Sequence, residues 1–435
     1  MDGYNLQKSL RRSKLETNLD RIITDMEKMA EFTSTTEGVT RLSYSKEDKQ
    51  AKEYLKKEMK KVNLKIWEDG FGNLFGRREG LNPDAPVVMI GSHYDTVFHG
   101  GPIDGVAGVV AALEVLRVLE DNNIENYYPI ELIAMNAEEG YRFGISAGTG
   151  IANSRALVGK MTEEELDSAK DRDGISKREA MIDYGLVPDL NNVTRPKGSI
   201  KTFIELHNEQ GRVLEETNTD IGIVDCFPGT GTYLLKFKGR LDNTAVPMDA
   251  RKDPLLAASK FVIAVNKIAK KMDGKISGQV GRLNVDPNLA AYVSEEVNLN
   301  VQFRIFDEHT HNTIDLYEIL EQEVKRIEKE TDVEIELKSY EARRGYSNPT
   351  PPIQMSKENN KIIEEVCEEL KYSYIKAPLG IFHDAVIIGE FFPATLIYVP
   401  CEGGITHHPD EWTDYKDIKK GVDVMLHLVK KASNK

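Results

Sequence analysis

Three cysteines in 435 residues is the first scarcity of this chain. Cys226, Cys367 and Cys401 are scattered without the close spacing of a metal-binding cluster. So sparse and odd a set fits a reducing cytoplasm better than a disulfide framework. Long apolar runs are missing too: no stretch of about eighteen apolar residues exists, so no membrane-spanning helix is expected. The segment from Met1 to Leu19 is polar and charged, without the apolar centre of a signal peptide, so secretion by that route is not expected. Positive charge is in short supply, with 57 Lys and Arg against 71 Asp and Glu and a net charge of −14. Nucleic acid and anionic membranes would repel such a chain and are excluded as partners. A small-molecule substrate is not excluded, because it responds to the local field. Internal repeats and long low-complexity tracts are absent as well.

What is present is enough chain for two domains, and 40% hydrophobic residues to build their cores. The apolar run Pro86-Val87-Val88-Met89-Ile90 leads into Gly91-Ser92-His93-Tyr94-Asp95-Thr96. Gly101-Pro102-Ile103-Asp104-Gly105 follows, and then a helical pattern from Gly108 to Leu119. One His and two Asp therefore sit where a buried strand ends and a helix begins, the place where open α/β sheets collect ligands. Other β-rich runs end in the same manner. Tyr128 to Ala134 leads to Glu138-Glu139, Thr202 to Leu206 to His207, and Ala394 to Val399 to Gly404-Ile405-Thr406-His407-His408. Helical patterns over Asn18–Met29, Ser45–Val62, Asn359–Leu370 and Tyr415–Lys431 alternate with these strands, so the expectation is an α/β fold with a mixed sheet flanked by helices.

The middle of the chain has another rhythm. Strand patterns at Tyr233–Gly239, Ser277–Asn284, Val297–Phe306 and Val333–Ser339 enclose helical patterns at Pro254–Met272 and Thr310–Thr331. The order β-α-β-β-α-β is that of a small, ferredoxin-like α+β domain. The expected division is a discontinuous catalytic domain, 1–225 and 345–435, with an inserted domain at 226–344.

Imidazole and carboxylate are the ligand types of zinc and its relatives. His93, Asp104, Glu139, His207 and His407 gathered at the strand ends would serve two metals. His93 and His207 would hold one, Glu139 and His407 the other, with Asp104 bridging. Such ions lie roughly 3.5–4 Å apart, activate water and polarise a carbonyl together. Glu138, beside Glu139, could carry the proton of the attacking water to the leaving nitrogen. Asp95, two residues after His93, could orient its imidazole.

With these residues in place the chain resembles the M20 metallopeptidase superfamily. Within it, the chain is similar to the branch of N-carbamoyl-L-amino-acid hydrolases, allantoate amidohydrolases and β-ureidopropionases. The matching segments are GSHYDT, GGPIDGVAGV, NAEEGYRF, ELHNEQG with its trailing RVLE, PMDARKD, FHDA and VPCEGGITHHP, in order from Gly91 to Pro409. The resemblance implies the same five metal residues, Glu138 as general base and Asp95 as orienter. It selects His407 over His408 because the ligand follows a small hydroxyl residue, here Thr406. It also implies an inserted lid and dimerisation domain, a homodimer, and two divalent ions, zinc or manganese, cobalt or nickel. Arg304 falls where the family binds the substrate carboxylate, and His383 where it has a substrate-facing His. Gln210, in the turn after His207, is a further candidate substrate contact.

The inserted domain departs from the family pattern. Leu241-Asp242-Asn243-Thr244-Ala245-Val246-Pro247-Met248 stands where the family has Asn-His-Ala-Gly-Thr before Pro-Met, so Asp242 replaces the His that steadies the oxyanion. Ala291 replaces a substrate-contacting Asn, and Gln302 an Asp. A carboxylate would repel the developing charge that an imidazole stabilises. Asp242 could instead meet a cationic group on an unusual substrate, Asn243 could supply the donor, or the chain could be a catalytically weakened homologue. The expected function is metal-dependent hydrolysis of a linear amide C–N bond, in an N-carbamoyl amino acid or related ureide. A dipeptidase or aminoacylase of the same superfamily is the alternative.

Overall fold

The run before His93 becomes the strand Val87–His93, and all seven of its residues are buried, as an apolar strand covered on both faces requires. The computed structural model describes residues 15–143, 150–340, 348–377 and 381–435. The strand sits inside an eight-stranded sheet ordered Lys65–Glu68, Leu74–Arg78, Ile130–Met135, Val87–His93, Ile200–Asn208, Ala394–Val399, Ile221–Val224, Tyr374–Ala377. The four strands from Ile130–Met135 to Ala394–Val399 are mutually parallel. Their carboxyl ends therefore share one edge, which brings Glu138-Glu139, His93, His207 and the segment before His407 together.

The helix Val106–Asp121 follows the opening motif and is buried from Val106 to Leu119. A helix apolar on nearly every side belongs inside a domain. It lies in one core with residues of the helices Leu19–Ala30, Lys46–Lys61, Lys357–Leu370 and Tyr415–Ala432. The strands Ile221–Val224 and Tyr374–Ala377 pair parallel at the sheet edge, and neither was expected. At four residues each, they are too short to carry a readable alternation.

The chain divides into two compact units: one of residues up to Asp225 with Met355–Ala377 and Ile381–Lys435, the other of Cys226–Gln354. The expected boundary at 344/345 lies outside the described residues. Ile353 and Gln354 pair with Phe227 and Cys226, which ties both ends of the inserted segment to each other.

The second unit is a four-stranded antiparallel sheet ordered Ile276–Asp286, Glu296–Ile305, Gly229–Lys238, Glu334–Tyr340. From Val297 to Ile305 the central strand alternates buried with less buried residues, the pattern of a sheet covered on one face. Its buried face packs with residues of the helices Pro254–Lys271 and Leu316–Thr331. The single helix expected over Thr310–Thr331 is two, Glu308–Thr313 and Leu316–Thr331. Ile314 is extended, and Asp315 accepts the N–H of Glu318 at 2.9 Å, capping a new helix. The apolar period runs through the break and hides it. No helix among the described residues is long and apolar enough to cross a membrane.

Candidate metal centre and active site

Asp104 is where the strand ends converge. Its Oδ1 lies 3.3 Å from Nε2 of His93 and 3.1 Å from Nε2 of His207. Its Oδ2 lies 3.4 Å from Nε2 of His407, which is itself 3.3 Å from Oε2 of Glu139. Two groups follow, His93-Asp104-His207 and Asp104-Glu139-His407, each with its ligand atoms within 4.8 Å of one another. Two ligands roughly 2.0–2.1 Å from one ion at a tetrahedral angle stand about 3.3–3.4 Å apart. Glu139 Oε1 is buried without a hydrogen-bond partner, a state that costs free energy unless a cation or proton satisfies it. The donor set thus fits two divalent ions, and oxygen and nitrogen donors of this kind accept zinc, manganese, cobalt and nickel alike.

The imidazoles are held in ligand-competent orientations. Nδ1 of His93 faces the carbonyl oxygen of Asp95 at 3.2 Å and its Oδ1 at 3.4 Å. Nδ1 of His207 faces the carbonyl of Asn208 at 3.0 Å. A proton on each Nδ1 leaves the Nε2 lone pair toward Asp104. Gly105 makes the close approach feasible: its φ is +65°, and a Cβ there would stand 2.5 Å from the His93 ring. His407 also has a left-handed backbone, φ +55°. Its side chain is 48% exposed, in contrast to the buried His93 and His207.

Charge in the cluster is frustrated. Burial, with the Asp104 carboxylate and Glu138, pushes Glu139 well above the usual carboxylate range. Burial likewise raises Glu138; His93 opposes this, and Asp384, Asp104 and Asp95 add to it. Asp104 goes the other way, because His207, His407 and His93 outweigh its burial. For His93, burial disfavours the charged ring, but the carboxylates of Glu138, Asp104 and Asp95 prevail and raise it. So many opposed shifts in one cluster mark a site built for charge.

Glu138 Oε2 lies 3.9 Å from Nε2 of His93, and its side chain belongs to neither group of ligands. Asp95 accepts the backbone N–H of Glu138 at 3.0 Å and of Glu139 at 3.3 Å, and Ser43 Oγ donates to it at 3.2 Å. Gln210 donates its Nε2 to Asp104 Oδ2 at 2.7 Å. His383 lies beside His207 with ring centroids 4.2 Å apart and the rings tilted by 47°, and its Nε2 meets the hydroxyl of Tyr398 at 2.8 Å. Burial and the neighbouring His207 hold its pKa well below the usual imidazole value.

Arg304 and Asp242 belong to the second unit. Arg304 is half-buried and donates to Thr230 Oγ1 at 2.6 Å, with burial lowering its pKa. Asp242 is ion-paired to Arg240 Nε at 2.8 Å. Asn243 is exposed and accepts the N–H of Ala245 at 2.9 Å. Asp242 thus has a cationic partner within its own unit.

Several neighbours were given no role by the sequence, although Glu205 and Asp384 lie within the ELHNEQG and FHDA segments. Glu205 is fully buried, takes the Ser92 hydroxyl at 2.6 Å and the N–H of Ala385 at 2.7 Å, and is raised by burial. Asp384 is pushed up to about 7 by burial and by Glu205. Glu411 is pushed up to about 8 by burial and by Asp104. Each acquires its role from a residue more than 90 positions away, beyond the reach of any local pattern.

The chain is similar to known proteins along most of its length. Residues 89–431 match the family described as peptidase family M20/M25/M40. An N-carbamoyl-L-amino-acid amidohydrolase of Paenarthrobacter aurescens is 34% identical over 94% of this chain and 97% of its own. A ureidoglycolate hydrolase of Arabidopsis thaliana is 30% identical over 97% of this chain and 88% of its own. The crystal structure of an amidase of the hydantoinase/carbamoylase family from Burkholderia multivorans superposes with a TM-score of 0.84 at 30% identity, covering 97% and 99% of the two chains.

Proposed function

The chain belongs to peptidase family M20/M25/M40 and is a hydrolase of amide C–N bonds, and we propose that it cleaves the ureido bond of an N-carbamoyl amino acid or a related ureide. The observation that carries this reading is Asp104, whose two oxygens face two separate groups of candidate ligands. The relatives that act on carbamoyl and ureido compounds support the substrate class.

Two divalent ions bound by these groups would supply Lewis-acid polarisation of the carbonyl and a lowered pKa for the attacking water. The chain's own residues do the rest. Glu138 takes the water's proton at its carboxylate and returns it to the leaving nitrogen. Its environment suits the task, since burial favours the protonated form that must exist between the two transfers. Asp95 fixes where Glu138 points by holding its backbone N–H, and it orients His93. For a carbamoyl substrate the products are the free amino acid, carbon dioxide and ammonia.

Arg304 is assigned to the substrate carboxylate, and His383, Gln210 and Asp242 to shaping substrate choice. A homodimer through the inserted domain is part of this reading. Its support is the set of exposed apolar side chains on that unit, among them Leu256, Ile263, Leu289 and Tyr292, of the kind that interfaces cover. A cytoplasmic location is supported by the three cysteines, which are buried and form no disulfide.

The test is a panel of carbamoyl, ureido, guanidino and acyl amino acids and dipeptides, assayed after loading with each candidate metal. Ammonia release from carbamoyl or ureido compounds is expected. Turnover confined to dipeptides or acyl amino acids would replace this reading with a dipeptidase or aminoacylase.

A further inference from the structure

Asp104 and His407 lie 303 positions apart, yet one side chain holds both backbones. Glu411 Oε1 accepts the N–H of Asp104 at 2.8 Å, and Glu411 Oε2 accepts the N–H of His407 at 3.1 Å. Glu411 is 1% exposed. It is itself anchored by its own N–H, which donates to the carbonyl of His408 at 3.0 Å. Its seat is shaped for it. A Cβ on Gly101 would stand 2.4 Å from Glu411 Cβ and 2.7 Å from its Cδ. Only glycine leaves that space.

We propose that Glu411 is a positioning residue that fixes the distance between Asp104 and His407 and thereby forms the Asp104-Glu139-His407 group. The inference rests on the two-metal reading above, and it concerns a residue that touches neither ion nor substrate. Three observations converge on it. Each oxygen of the Glu411 carboxyl group keeps acceptor capacity whether or not the group is ionised, so both can take a main-chain N–H. His407 keeps a left-handed backbone, a conformation that persists in a non-glycine residue only where the surroundings over-determine it. Glu411 supplies that constraint at the His407 N–H. Finally, His407 is the most exposed of the candidate ligands and the least restrained by packing, so its position depends on its main chain. Thr406 Oγ1, 3.4 Å from Asp104 Oδ2, adds a weaker tie between the same two segments.

Glu411→Gln turns one acceptor into a donor that faces an N–H, so one of the two bonds must open. Gly101→Ala leaves the carboxylate chemistry intact and displaces it by steric contact. The readout is equilibrium dialysis of the full chain against Co²⁺, with the two dissociation constants measured for parent and variants and the melting temperature of the metal-free proteins recorded beside them. The parent's stoichiometry tests the two-metal reading by itself, since a parent that binds fewer than two ions fails that reading whatever the variants do. Given two sites in the parent, both variants are expected to weaken one ion about 10–100-fold, the usual effect of removing a residue that orients ligands. The other ion's affinity stays within about threefold. Parent-like affinities for both ions in a folded Glu411→Gln or Gly101→Ala chain overturn the proposal, even if the melting temperature has dropped, because that result is a purely structural role. If Glu411→Gln does not fold, Gly101→Ala decides alone by the same criterion.

Discussion

Asp95 Oδ1 accepts the backbone N–H of Glu138 at 3.0 Å. The same carboxylate takes the N–H of Glu139 and faces Nδ1 of His93, so one side chain sets both the proposed base and two candidate ligands. Asp95→Asn puts an amide N–H₂ where an acceptor is needed. We predict a fall in kcat of about 10–100-fold at saturating Mn²⁺, with melting temperature changed far less. A kcat within twofold of the parent rejects the role.

Glu138 should separate chemistry from metal binding. Its side chain is in neither ligand group, so Glu138→Gln is expected to keep two ions per chain by elemental analysis. The same variant should lose about 10²–10⁴ in kcat, the scale of a general base. Loss of an ion in step with activity would move Glu138 from proton carrier to ligand.

His407 and His207 contrast in burial, 48% side-chain exposure against 0%. His407→Ala is predicted to lose one ion while costing less folding stability than His207→Ala, because no buried side-chain volume is removed. His207→Ala opens a buried space and should lose an ion and stability together. Stability is read by urea unfolding of the metal-free chains and metal content by dialysis. Two retained ions in His407→Ala would sink the assignment.

Asp242 is paired with Arg240. Asp242→His removes that pair and installs the residue type that the resemblance leads one to expect. The prediction is a changed ranking of kcat/KM across the substrate panel, with an oxyanion donor contributing up to roughly 2.7–4 kcal/mol for carbamoyl compounds. Unchanged ranking and unchanged kcat would show that Asp242 has no part in substrate choice.

Asp69 provides a titration away from the metal centre. It accepts the N–H of Phe71 at 2.9 Å and of Asn73 at 3.0 Å, yet burial pushes it up to about 6. The unfolded value is about 3.9. The folded chain therefore binds more protons between these values, and the contribution of this group is full below about pH 4 and lost as pH rises through about 6. Asp69→Asn cannot titrate, so its stability relative to the parent should climb between about pH 4 and pH 7 in urea unfolding. A flat or falling difference contradicts the shift.

The site was legible to the extent that each strand spells out its own ending. Apolar runs terminating in His93, Glu138-Glu139 and His207 are local statements, and a buried strand can only be written that way. The helix break at Ile314 was not legible, because a cap changes one backbone bond and leaves the apolar period intact. The short strands Ile221–Val224 and Tyr374–Ala377 were not either, since they are held by pairing with strands remote in sequence.

By itself the sequence determined which side chains could carry the chemistry, and in which order the strands deliver them. Composition, strand-end residues and seven ordered motifs were sufficient for that. The tertiary structure alone decided the distances. It put His93 and His207 on one oxygen of Asp104 and His407 on the other, paired Asp242 with Arg240, set His383 against Tyr398, and laid Glu411 across two backbones. The reason is physical. Residue type is a property of a position, whereas a hydrogen bond between positions 104 and 411 exists only once parallel pairing and core packing have brought two remote segments within 3 Å.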